Sequence, residues 1–220
     1  GRALSASVGE DWKLYQAAPG SEEIGKLPLP MMSPEPSCRC SFVVQLLSDR
    51  PLEADVRQAA RAQLWLNSFD DDIIDLAELG APAGLAYDAS FNKYGLRICF
   101  RGISQTLPSY ARRFCRRLVQ HHDRLLDGTA EILPTTIKST IVQVNRFPMS
   151  PLRKRQVVGN LRTASVTDVA AEGLAFLRSC KGGIALAQGD LLPNEAVRLT
   201  SELRPIFREV AYGRPESWDG

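Results

Sequence analysis

Apolar residues recur at three- and four-residue steps from Ala59 through Ala62, Leu66, Phe69 and Ile73 to Leu76, the spacing that lays one stripe along an α-helix. A long helix with a nearly continuous core face is predicted there. Gly80 follows where a helix end favours a residue able to take positive φ, and Pro82 keeps the helix from resuming. Beyond it the period changes to two. Gly84 to Phe91 and Tyr94 to Arg101 read as strands joined at Asn92-Lys93, the second alternating Tyr94, Leu96, Ile98 and Phe100 with Gly95, Arg97, Cys99 and Arg101. One side of that strand is expected to be buried and the other wet.

The same reading extends outward. Trp12 to Tyr15 and Cys40 to Leu47 are strand-like, and Leu107 to Gln120 is a helix that buries Leu107, Tyr110, Phe114 and Leu118. A helical connection covers Arg124 to Leu161. Gly183 to Gln188 forms the last strand; Gly189 ends it, Asp190 is placed to accept backbone donors at the next helix start, and Pro193 suits that helix's first turn. The order is two strands, a long helix, a β-hairpin, a helix, a helical connection, a helix, a strand and a final helix. It predicts an α+β, two-layer fold with a mainly antiparallel sheet and helices packed on one face. Residues 1–11 are expected to be a flexible segment, 12–212 one domain and 213–220 a loose tail, with the prolines between Gly25 and Pro36 marking a connector.

Composition narrows the class without naming a function. With 220 residues, 44% of them hydrophobic and 24% charged, the chain can bury a sizeable core. A net charge of +2 favours no partner class. Five cysteines include no Cys-x-x-Cys pair, which points to a reducing compartment. No apolar run approaches the roughly 20 residues that span a bilayer. The first ten residues resemble the remainder of a processed organelle transit sequence in their Arg, Ala and Ser content, so an organelle interior, mitochondrial or plastid, is preferred to the cytoplasm.

Candidate chemistry is sparse. Asp70, Asp71, Asp72 and Asp75 form the most acidic cluster, but consecutive helix positions fan around the axis and no tight glycine turn folds them inward as a calcium loop requires. A solvated helix face is the expectation. Arg112, Arg113, Arg116 and Arg117 form two adjacent outer rows on the helix from Leu107 to Gln120. Such rows suit an acidic protein surface, and exposed strand edges are the other candidate docking sites. Without a nucleic-acid motif elsewhere, a nucleic-acid partner is not expected. Gly182, Gly183 and Gly189 match neither phosphate-binding fingerprint, and Ser104, Ser109 and Ser139 stand in no nucleophile elbow. No catalytic residue and no cofactor is predicted.

The segment LAELGAPAGLAYD, the strand YGLRICFRG and the following SQTLPSYARRF resemble the third, non-catalytic domain of the insulinase-like (pitrilysin-type) zinc metallopeptidases, on Ala83, Gly84, Leu85, Tyr87, Tyr94, Gly95, Gly102 and Pro108. Trp12 to Tyr15, Ser165 to Asp168, Phe176, Gly183 to Asp190 and Pro193 to Ala196 extend the likeness to about residues 12 to 210. It is weakest between Arg124 and Leu161, where the family has a longer helical hairpin. The family's catalytic domains carry His-x-x-Glu-His on a helix. This chain has only His121 and His122, about 100° apart on a helix and without the general-base Glu at its offset, so no metal site is predicted.

The resemblance implies one of two roles. One is a catalytically inactive structural subunit of a larger, organellar assembly, whose partners are other protein subunits. The other is the third domain of a full-length zinc metallopeptidase, enclosing peptide alongside the other domains of that enzyme.

Overall fold

The structure, a computed structural model, describes residues 4–8, 10–16, 39–50, 55–146 and 150–212. The proline-bearing connector, Cys38 and the tail from 213 lie outside the described residues. Among the described residues, six strands form one sheet in the order β1 (Leu4–Ser7), β2 (Trp12–Gln16), β6 (Cys180–Gly189), β3 (Arg39–Ser48), β5 (Gly95–Ile103) and β4 (Ala86–Asn92). Only β2 and β6 run parallel; the other neighbours are antiparallel. The N-terminal segment expected to be flexible therefore contributes an edge strand, its Leu4 to Ser7 pairing with Gln16 to Lys13.

Period-two alternation decides which side of the sheet is covered. Phe42, Val44 and Leu46 of β3, Leu96, Ile98 and Phe100 of β5, and Ala185 and Ala187 of β6 are fully enclosed, and the helices lie on that side. The helices are α1 (Val56–Asp72), α2 (Ile74–Gly80), α3 (Leu107–Leu126), α4 (Pro134–Arg146), α5 (Pro151–Thr163), α6 (Val166–Ser179) and α7 (Pro193–Tyr212). This is the expected α+β two-layer arrangement, with two helices, α4 and α5, forming the helical connection. Aromatic rings lock the layers edge to face: Phe114 of α3 stands 5.1 Å from both Phe69 of α1 and Phe100 of β5, and Phe91 of β4 lies 4.9 Å from Phe176 of α6. Pairs of this geometry add about 1 kcal/mol each beyond the area they bury.

Local differences from the sequence reading have physical causes. The long helix breaks at Ile73, which leaves helical geometry (φ −106°, ψ 15°) so that its side chain is fully buried. Gly80 is not left-handed: it stays helical at φ −78°, the chain runs through a single 3₁₀ turn over Ala81–Ala83 that accommodates Pro82, and Gly84 takes positive φ at 67°. What Gly80 provides is room, since a Cβ there would stand 2.9 Å from the Tyr110 ring. Tyr94 falls in the hairpin turn and is exposed, while Cys99, expected to be wet, is buried. At the start of α7, Pro193 is the first helical residue as expected, but Glu195 reaches back to accept from the Leu192 N–H at 3.1 Å. Asp190 instead gives its backbone N–H to the Arg39 carbonyl. Ser165 and Asp168 form a reciprocal capping box that starts α6.

Candidate functional site: an acidic corner and an arginine row

The acidic triplet ends α1, and the helical fan of about 100° per residue sends each carboxylate to a different element. Asp70 accepts from the Tyr87 hydroxyl of β4 at 3.0 Å. Asp71 accepts from the Thr136 hydroxyl of α4. Asp72, its side chain 4% exposed, meets α3: Arg124 donates to it through Nε and Nη2, the latter at 2.7 Å, Arg117 Nε lies 3.5 Å away, and His121 Nδ1 lies at 3.3 Å. The solvated face expected from sequence holds for Asp70, Asp71 and Asp75, which are exposed, and is corrected at Asp72, whose side chain is buried. The fan argument was sound against a calcium loop, but it also distributes the carboxylates among packed neighbours.

Burial pushes the Asp72 carboxyl up, and the bonds and charge of Arg124, with His121 and Arg117, outweigh that and hold it below its ordinary 3.8. The carboxylate is therefore an ionised acceptor at neutral pH. His121 has no exposed side-chain surface; its imidazole packs against Phe69 and Trp65. Burial lowers its pKa from 6.5 to about 4 against the pull of Asp72, so the ring is neutral with one N–H. Since Asp72 can only accept, that hydrogen belongs on Nδ1. Nε2 is then an acceptor for the Ser68 hydroxyl 2.9 Å away. The Ser68 hydroxyl has a second acceptor, the Trp65 carbonyl at 2.8 Å, for its single hydrogen.

Ser68, His121 and Asp72 have the connectivity of an acyl-transfer relay. They lack its access. Ser68 and His121 are fully enclosed, and a substrate carbonyl has no route to Oγ. A cleft of about 570 Å³ between α3, α6 and α7 and another of about 500 Å³ beside β1 are lined by other residues. The constellation ties α1 to α3 and does not present a nucleophile.

Nor do these residues suit zinc. Both ring nitrogens of His121 already have partners inside the core, and His122, on the adjacent face of α3, lies against Asp123 at 3.3 Å. Among the described residues, no three His, Cys, Asp or Glu side chains are grouped to hold a metal ion. Cys40, Cys99, Cys115 and Cys180 are free and buried. Burial, together with nearby carboxylates, raises Cys40 to about 11 and Cys180 to about 12, and burial raises Cys115 as well, which leaves these three as unreactive thiols.

The four arginines of the predicted docking rows meet different fates. Arg112 is bound to Glu202 of α7 at 2.8 Å. Arg117 donates to the Asp72 carbonyl at 2.9 Å and lies 3.6 Å from Asp75. Arg113 and Arg116 are exposed and have no ion-pair partner among the described residues. They sit on the outermost line of α3, with exposed Ser109, Gln120 and Asp123 at successive three- and four-residue steps. The hub residues Ser68 and Thr136 were not singled out from sequence, and Tyr87 and Arg124 were not linked there to the acidic triplet. Their only sequence signal is the triplet itself, at the end of an apolar helix.

No family model matches the sequence, and no curated protein does. The fold is nevertheless shared with solved structures. Pitrilysin superposes with a TM-score of 0.59 at 13% identity, over 95% of this chain and 22% of that one. A conserved protein from Enterococcus faecalis V583 gives 0.57 at 12%, over 91% and 52%. A chain of complex III2 from Candida albicans with Inz-5 bound gives 0.56 at 6%, over 90% and 45%. The fold is insulinase-like. The chain spans between about a fifth and about half of the length of these neighbours.

Proposed function

We propose that this chain is a catalytically inactive insulinase-like domain acting as a structural or interaction subunit of a larger, organellar protein assembly. The observation that carries this reading is the commitment of His121 to Ser68 and Asp72 inside the core. It removes one of only two histidines from any zinc centre, in a chain whose fold is shared with pitrilysin and with a chain of complex III2 from Candida albicans. No described helix is long and apolar enough to cross a membrane. Attachment to the assembly would run through the outer face of α3, where Arg113 and Arg116 offer uncompensated charge to an acidic protein surface, flanked by Arg112 and Arg117.

A second reading, the non-catalytic third domain of a full-length zinc metallopeptidase, is favoured by one fact: 95% of this chain maps onto 22% of pitrilysin. The native mass and co-purifying chains of the endogenous protein separate the two. A polypeptide held in a complex with different chains is expected. A single polypeptide several times longer that cleaves peptides in a chelator-sensitive way would overturn the subunit reading.

A further inference from the structure

Strand β4 closes one edge of the sheet and carries few of the devices that protect such edges. Its sequence AYDASFN has no proline or lysine and a single charge, Asp88. Asn92 and Gly95 flank the turn at 93–94 and pair with each other; by alternation, Asn92, Ser90, Asp88 and Ala86 direct their backbone groups at β5, and Phe91, Ala89 and Tyr87 direct theirs away from it. No backbone bond from another described element reaches those three. Beside this edge, α2 leaves Ile74 and Leu79 59% and 75% exposed, and Leu79 is the most exposed large apolar side chain among the described residues.

The geometry points to β4 as a self-association edge, at which a second copy of this chain adds antiparallel through the same strand. The register is selected by the sequence. A two-fold axis at Ala89 is the one placement that pairs the whole of Ala86–Asn92, setting Tyr87 opposite Phe91 of the second copy and Ala89 opposite Ala89, each with outward-facing backbone groups. An axis at Asp88 would set two carboxylates against each other and shorten the ladder. With the axis at Ala89, Asp88 lies opposite Ser90 of the second copy, whose β5 neighbour is Arg97. Arg97 is exposed and has no ion-pair partner among the described residues, so each copy's single β4 acid meets the other's free guanidinium one strand away. The pairing continues two sheets into one and covers exposed α2 apolar surface, an isologous contact of the kind that closes a dimer. It goes beyond the proposed function, and it uses residues other than Arg113 and Arg116.

Sedimentation equilibrium on the purified 220-residue chain tests it. A monomer–dimer equilibrium is expected, and a monomer at every concentration up to about 1 mM would overturn the proposal. Ala89→Pro removes an N–H that β5 does not use, so its circular dichroism and melting should match the wild type while the dimer is lost. A folded A89P chain that dimerises as tightly as wild type would overturn the proposal. If A89P fails to fold, the charge pair decides: Asp88→Arg should weaken association roughly three-fold and the double exchange D88R/R97D should restore it. Association unchanged by D88R, or not restored by the exchange, would contradict the register.

Discussion

Two charged runs on neighbouring helices, Asp70–Asp72 on α1 and Arg112–Arg117 on α3, look alike in sequence and end differently in the fold. All three carboxylates of the first are consumed, by β4, α4 and α3 in turn. The second is consumed by half: Arg112 and Arg117 reach carboxylates, while Arg113 and Arg116 do not. The difference comes from what surrounds each helix. The end of α1 has neighbours on several sides, so the fan of consecutive side chains meets a partner at each. The helix α3 keeps one side in solvent, and the residues on it keep their charge. What a run of like charges can offer to another molecule is the part left over after internal pairing.

The comparison breaks most visibly at Asp72. Its replacement by alanine leaves Arg124 and His121 without their shared acceptor at a site with 4% exposure, and should cost about 3 kcal/mol or more of unfolding free energy. Chemical denaturation measures it; a loss below about 1 kcal/mol would make the corner ordinary surface. Acid should open the same corner. The His121 pKa is about 4 folded against an ordinary 6.5, so as pH falls the unfolded chain takes up the proton first. This contribution is intact above pH 6.5 and is lost between 6.5 and 4, on the order of 3 kcal/mol in all. Asp72, held low, adds a loss only below its ordinary 3.8. Asp70, its carboxyl pushed up to about 6 by burial, takes up its proton first in the folded chain and opposes this loss below pH 6. His121→Gln should therefore shift the slope between pH 6.5 and 4 toward greater stability at low pH, and an unchanged slope would remove His121 from the account.

The arginines should sort by the same logic with smaller effects. Arg112→Ala breaks a half-exposed pair with Glu202 and should cost less than about 1 kcal/mol. Arg113→Ala and Arg116→Ala should change the thermal midpoint hardly at all, within about 0.5 kcal/mol. A larger loss for Arg113 or Arg116 than for Arg112 would reverse the assignment of which are internal.

Most of the architecture was legible because it rests on periodicity. The strands at Trp12, Cys40, Leu96 and Ala185 and the helices burying Phe69 and Phe114 follow from apolar spacing alone. The break at Ile73 was not, because Ile73 lies in register with the helix stripe, and only the packed structure shows that the helix must be interrupted to bury it. Gly80 looked like a left-handed stop for want of knowing that Tyr110, thirty positions on, would lie against it. The acidic corner was illegible for the same reason: His121 and Asp72 are 49 positions apart, and nothing local marks them as a pair. The arginine rows were visible as a helical pattern, but their division into paired and free depended on Glu202 and Asp75, which the pattern does not contain.

The most direct test of the account is the native mass of the complex recovered through this chain from its own cells, for wild type and for an Arg113→Glu, Arg116→Glu double variant. The account predicts a heavy complex for the wild type, and for the variant a folded chain with unchanged melting that has lost the complex. A variant that stays in the same complex at full yield would contradict docking through the free arginines, and a wild-type chain recovered alone would contradict the subunit reading itself.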